Sequence, residues 1–156
     1  MHALQPQYKG CSVCKEWWNY SNYKLWYDEH KAEIMAYDES FEMDKDILIK
    51  GNTVYSAETV CFVPKVINLL FTNGNKNRGD YPLGVYYDRD KKKYIANMSL
   101  AGKNTKIGAF DTREDAFKRY KEYKENIIKN IAEQYKSKIA DKVYQAMMNW
   151  QIDITD

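Results

Sequence analysis

Apolar and polar residues alternate most cleanly between Lys93 and Leu100. Tyr94, Ala96, Met98 and Leu100 fall on one face, and Ile95, Asn97 and Ser99 on the other. A period of two marks a strand with one covered face. A shorter run, Leu83–Tyr87, precedes it across a loop at 88–92. Asn104–Ala109 follows it after Ala101-Gly102-Lys103, a turn in which Gly102 suits a positive φ. The period then changes. Ala116, Phe117, Tyr120, Tyr123, Ile127, Ile131 and Tyr135 recur at three- and four-residue steps, which predicts a long amphipathic helix. Thr112, with Asp115 three residues later, makes a capping-box-like start with Asp in place of the usual Glu. A three-stranded sheet is marginal alone, so this helix is expected to cover the Tyr94 face. Val143, Met147 and Trp150 predict a last helix from about Ile139 to Trp150.

The pattern before Thr72 is weaker. Tyr8–Cys14 reads as a loop. Ser21 is placed to cap a helix from Asn22 to about Met35, with Tyr23, Trp26, Tyr27 and Ile34 near one face. Phe41–Ile49 alternates as a strand, Lys50-Gly51-Asn52 is a turn, and Val54-Tyr55 is extended. Ser56 is expected to cap a helical turn with Glu58 near its start. Cys61–Val63 reads as a strand, and Pro64–Phe71 as a helix with Pro in its first turn. The run TNGNKNRGD, Thr72–Asp80, has no apolar residue and reads as a linker. The expected organisation is α+β: a small module at 1–72, a linker at 73–80, and a sheet-and-helix domain at 81–156. The aromatic run WWNYSNYKLWY, Trp17–Tyr27, invites base stacking but is expected to fill the core.

The net charge of +2 hides an asymmetry. Met1–Asn75 holds 7 Lys/Arg against 10 Asp/Glu, Lys76–Lys138 holds 16 against 9, and the remainder 1 against 3. A basic segment in a near-neutral chain is the footprint of a nucleic-acid module; the alternative is a solvated face. If the helix covers one sheet face, the other carries Tyr86, Asp88, Ile95, Asn97, Ser99, Asn104 and Lys106. Such a ribbon fits the major groove, where Asn can hold adenine by two hydrogen bonds and Lys can donate to guanine. Arg78, Arg89, Lys91, Lys92, Lys93 and Lys103, in the linker and turns, are placed to grip phosphates. Double-stranded DNA is therefore the expected partner.

There are three cysteines, Cys11, Cys14 and Cys61. An odd number, with no apolar stretch in MHALQPQYKG, argues against a disulfide scaffold. Cys11 and Cys14 could begin a zinc site, but only Cys61, His2 and His30 remain as further ligands, so free thiols are expected and zinc is not. The longest apolar run, Val60–Phe71, is broken by Pro64 and Lys65 and is too short for a bilayer. The expectation is a cytosolic chain with no membrane partner.

The segment Tyr81–Lys124, with GV near its start and IGAFDTREDA before the helix, closely resembles the ethylene-response-factor (ERF) type DNA-binding domain. Plants use it in transcription factors; phages and mobile elements append it to homing endonucleases. The resemblance implies that the sheet, not the helix, enters the groove. Tyr86, Asp88, Asn97, Ser99, Asn104 and Lys106 fall where the family places DNA-contacting residues. The plant proteins use several Arg, a Glu and Trp there, so their target sequence does not carry over.

The stretches CSVCKEWWNYSNYKLWYDEH and MDKDILIKGNTVYSAETVCFVPKVINLLF resemble the HNH (ββα-metal) half of phage homing endonucleases. That resemblance puts Asp44 at the first-strand metal position, Lys45 where the His base usually stands, and Asn52 at the turn Asn. Glu58 or Thr59 occupies the last position. It implies Mg2+ on Asp44, with Asp46 as a further carboxylate and Glu58 nearby; ordinary surface acids are the alternative. The standard His base is missing, and His30, in the predicted first helix, reads as structural. The resemblance thus implies a phage or mobile-element DNA-binding protein in the host cell cytoplasm, its endonuclease or nickase activity degenerate. The other reading is a non-enzymatic phage-encoded regulator, or an anti-CRISPR-like inhibitor binding a host defence protein.

Overall fold

The computed structural model describes residues 8–35, 40–72 and 79–156. His2, Arg78 and most of the linker lie outside the described residues, as does the side chain of Ile34. The chain is α+β. Its first half comprises β1 (Ser12–Val13), a 3-10 turn at Lys15–Trp18, α1 (Tyr20–Met35), β2 (Phe41–Asp44), β3 (Val54–Tyr55), β4 (Cys61–Pro64) and α2 (Lys65–Phe71). β1 pairs in parallel with β3, so the segment expected as a loop up to Cys14 contains a short strand. β2 pairs antiparallel with β4 and sets Asp44 opposite Cys61.

Three local expectations are corrected by side-chain hydrogen bonds. Asn19, not Ser21, caps α1: its Oδ1 accepts the Ser21 N–H at 3.0 Å. The strand expected to reach Ile49 stops at Asp44, whose Oδ1 accepts the N–H groups of Asp46 and Ile47 at 2.8 Å each and turns the chain. Ser56 opens the expected single turn, its carbonyl accepting the N–H groups of Thr59 and Val60, but its hydroxyl lies 3.1 Å from Thr59 Oγ1 instead of capping a main-chain N–H, and Val60 leads directly into β4.

The second half comprises β5 (Val85–Asp88), β6 (Lys93–Leu100), β7 (Lys103–Phe110), α3 (Arg113–Tyr135) and α4 (Asp141–Met148). The three strands form an antiparallel sheet in the order β5-β6-β7, packed against α3. Thr112 caps α3 as expected. Its Oγ1 accepts the Asp115 N–H at 3.1 Å and donates to the Asp115 carboxylate at 2.8 Å. The first strand begins two residues later than expected because Leu83-Gly84 forms a turn. Gly84 has φ +74°, and a Cβ built there would lie 2.0 Å from Cδ2 of Tyr120. The chain thus approaches α3 as closely as only glycine allows.

The apolar stripe of α3 runs differently from the expectation. Tyr123, Ile127, Ile131 and Tyr135 are half-buried, while the sealed positions are Ala116, Phe117, Tyr120, Lys124, Ile128 and Ala132. Strict four-residue steps drift around a helix of 3.6 residues per turn, so the stripe turns from the sheet at the N-terminal end towards α4.

One contiguous core joins the halves: Ile47, Val63, Ile67 and Leu70 pack with Val85, Met98, Tyr120, Ile128 and Met147. The segment after α4 ties the seam. Trp150 packs edge-on against Phe71 at 4.6 Å. Lys50 Nζ donates to the Gln151 carbonyl at 2.8 Å and lies 2.5 Å from the Asp156 carboxylate. Lys121 Nζ donates to the Ile152 carbonyl at 2.6 Å, and the Ile152 N–H donates to Glu125 at 2.8 Å.

The aromatic run does not fill this core. Trp17, Tyr23, Trp26 and Tyr27 stack on one another and on Phe62 but stay half-exposed. Trp18 is 74% exposed, Tyr20 69% and Leu25 65%. Large residues lie all round the start of α1 instead of in one stripe, so the side of the helix that packs on the rest of the chain cannot bury them all.

Lys124 was invisible as a core residue from sequence. It is 7% exposed, its Nζ lies 5.7 Å from the Tyr120 ring, and burial lowers its pKa from 10.5 to about 8, with Asp156 opposing. Below pH 8 both folded and unfolded chains carry the proton, and the burial penalty is fully present. As pH rises from about 8 towards 10.5 the folded chain loses its proton first, and the penalty fades. Lys124→Met is therefore expected to stabilise the fold at pH 7 by about 1–3 kcal/mol. In denaturation series across pH, that gain should shrink steadily above pH 8; a pH-independent gain would mean that the charge is not its source.

Candidate nucleic-acid interface and the acidic turn

The face of the sheet turned away from α3 follows from alternation and register. Tyr86 and Asp88 on β5, Ile95, Asn97 and Ser99 on β6, and Asn104, Lys106 and Ala109 on β7 share it. A register shift between Ala96 and Asn97 lets the expected outer set stay on one face although β7 carries one extra residue there. Tyr86, Ser99, Asn104 and Lys106 are exposed and Asn97 is half-buried. Ala101 and Gly102 both have positive φ (50° and 77°), the geometry of a tight two-residue hairpin, which holds Lys103 at the sheet's end.

The cations around this face are of two kinds. Lys91 pairs with Asp88 at 3.4 Å, and Lys93 bonds Asp111. Arg89, Lys92, Lys103 and Lys106 are exposed, and none forms an ion pair with a described residue. Asp88 has a local task as well. Its Oδ1 accepts the N–H groups of Lys91 at 3.0 Å and Asp90 at 3.1 Å, which shapes the hairpin loop and holds its pKa below the usual carboxylate range.

The second set of predicted residues gathers around the loop between β2 and β4. Asp44 is 9% exposed; desolvation raises its pKa to about 6 against the two N–H groups it accepts, and the neighbouring Asp46 carboxylate pushes in the same direction. The thiol of Cys61, opposite Asp44, is pushed up to about 12 by burial and then by the Asp44 charge, so it is an inert thiol at neutral pH. Lys45 pairs with Asp46 at 3.3 Å. Burial works against its charge, but Asp46 prevails and the pKa is raised. Lys45 therefore stands in the loop as a cation beside Asp46.

Asn52 and Thr59 build the loop. Asn52 Nδ2 donates to the carbonyls of Lys45 and Val54 at 2.7 Å each, and Thr59 Oγ1 donates to the same Val54 carbonyl at 2.7 Å. Asp44, Lys45, Asn52 and Thr59 are thereby brought together through main-chain groups, whereas Glu58 is exposed. Mg2+ takes oxygen ligands, keeps several waters and needs only one or two carboxylates; Asp44 and Asp46 meet that minimum. Among the described residues no group of three His, Cys, Asp or Glu side chains forms a metal site. His30 stacks on Trp26 at 4.5 Å, with Nδ1 2.7 Å from the Trp26 carbonyl. Cys11 and Cys14 are free thiols. No described helix is long and apolar enough to cross a membrane.

No protein-family model, curated protein or solved structure matches this chain.

Proposed function

We propose that this chain is a double-stranded DNA-binding protein of the phage HNH homing-endonuclease type, with the three-stranded sheet in the major groove. One observation carries the reading. An exposed sheet face bearing Asn97, Ser99, Asn104 and Lys106 is bordered by Arg89, Lys92 and Lys103, cations without an ion-pair partner among the described residues. Polar groups on the face suit base edges, and cations on its rim suit phosphates. The first half acts in this reading as a degenerate HNH-like module. Asp44 and Asp46 would hold Mg2+, whose chemistry when bound is to neutralise the phosphate and activate a water. Asp44 is oriented by the N–H groups of Asp46 and Ile47, and no described His stands beside it to take the proton.

A gel shift at two salt concentrations, run beside a supercoiled-plasmid assay with Mg2+, tests both parts. The expected result is a shift that weakens steeply with salt and little or no nicking. Nicking that EDTA abolishes and that Asp44→Asn removes would restore the endonuclease; no shift at either salt would overturn the DNA reading.

A second reading is favoured by the large exposed residues of the 3-10 turn and the start of α1. Tyr and Trp dominate protein-binding hot spots, and Trp18, Tyr20 and Leu25 lie open. They suit a non-enzymatic, phage-encoded regulator that binds a host defence protein. Trp18→Ala with Leu25→Ala would then abolish inhibition of that complex while leaving the DNA shift unchanged.

A further inference from the structure

The outer sheet face is organised in cross-strand rungs fixed by register. Asp88 lies opposite Lys93. Tyr86 lies opposite Ile95, which lies opposite Ala109. Asn97 lies opposite Lys106, and Ser99 opposite Asn104. Three of these rungs are polar. The Tyr86–Ile95–Ala109 rung is apolar across all three strands.

Ile95 points away from α3 and is not part of the contiguous core, yet it is fully buried. It lies below the accessible surface of the rung, between Tyr86 and Ala109 in the register. What an outside molecule can reach is the Tyr86 ring, 47% exposed, and the exposed methyl of Ala109. The next rung begins with Asn97. Its main-chain N–H donates to the Gly84 carbonyl at 2.8 Å, and no described group bonds its side-chain amide. A polar side chain held at its base, with no bond at its tip to any described residue, can be offered to a ligand.

We infer that these two rungs read an A·T-containing step, with a thymine 5-methyl against Tyr86 and Ala109 and an adenine edge on the Asn97 amide. The inference rests on the DNA reading above and specifies its sequence preference. Thymine alone presents a methyl in the major groove, and an Asn amide matches the N6 donor and N7 acceptor of adenine. Same-face positions two residues apart on a strand are separated by about 6.8 Å. That is about two base steps of 3.4 Å, so the thymine and the adenine lie within about two base pairs of each other. A G·C pair offers no methyl to the apolar rung, and guanine presents only acceptors, so it cannot take both hydrogen bonds of the Asn amide as adenine does.

The test uses the full chain and a randomised duplex pool. Recovered duplexes are remade with uracil for each thymine, which removes only the methyl, and with 7-deazaadenine for each adenine, which removes only N7. One uracil position is expected to weaken binding about fourfold, the worth of a buried methyl. Tyr86→Ala, and separately Ala109→Ser in case the larger truncation disturbs the sheet, should bind thymine and uracil duplexes alike. Asn97→Ala should lose sensitivity to 7-deazaadenine. Recovered sites without a shared A·T pair, or equal binding of thymine and uracil duplexes by the unsubstituted chain, would overturn the inference and leave the DNA reading standing. A pool that yields no bound duplex would overturn the DNA reading and this inference with it.

Discussion

Gly84→Ala is expected to destabilise the fold by about 3–4 kcal/mol, combining the strain of a left-handed residue with overpacking. Both contributions arise at one atom. The backbone at Gly84 has φ +74°, and the new Cβ would lie 2.0–2.4 Å from three ring carbons of Tyr120, a residue only 3% exposed. A ring in the middle of the core cannot swing aside, so the strand would have to lift off α3. The Gly84 carbonyl also accepts the Asn97 N–H, so lifting that strand disturbs the centre of the outer face proposed to meet DNA. Chemical denaturation of the two proteins measures the first effect, and the gel shift above the second. A loss below about 0.5 kcal/mol, the range of neutral surface changes, would mean that the sheet does not approach the helix here.

The second large effect is on affinity. Reversing Arg89, Lys92, Lys103 and Lys106 to Glu together should weaken duplex binding by about a hundredfold or more at moderate salt. It should also flatten the slope of log affinity against log salt by about 3 to 4, close to one for each phosphate no longer gripped. These side chains are exposed and form no ion pair with a described residue, so the thermal midpoint should hardly change. Reversal of Lys91 and Lys93 supplies the comparison. Each already lies beside a carboxylate, Asp88 or Asp111, and their replacement should reduce affinity less. Equal losses from both sets would point to net charge alone, without a defined phosphate-gripping rim.

The second half was largely legible in the sequence because its structure is specified locally. An alternating eight-residue strand, a tight turn with Gly102, and a Thr112–Asp115 cap are each defined by residues a few positions apart, and all three are present. The polar outer face followed from the same alternation. The first half was less legible because its elements are short and end on side-chain hydrogen bonds. The carboxylate of Asp44 stops β2, and Asn19 rather than Ser21 starts α1. A parallel pair such as β1 with β3 joins residues about forty positions apart, and no local periodicity announces such a partner.

By itself, then, the sequence determined the order of the elements in the second half, the two faces of the sheet and the basic character of its rim, since each depends on periodicity or charge along the chain. Tertiary structure alone decided three other things. It placed Lys124 inside the core, left Trp18, Tyr20 and Leu25 around the start of α1 open, and buried Ile95 on the outer face of the sheet. Burial depends on which surfaces meet, and those surfaces come from segments far apart in the chain.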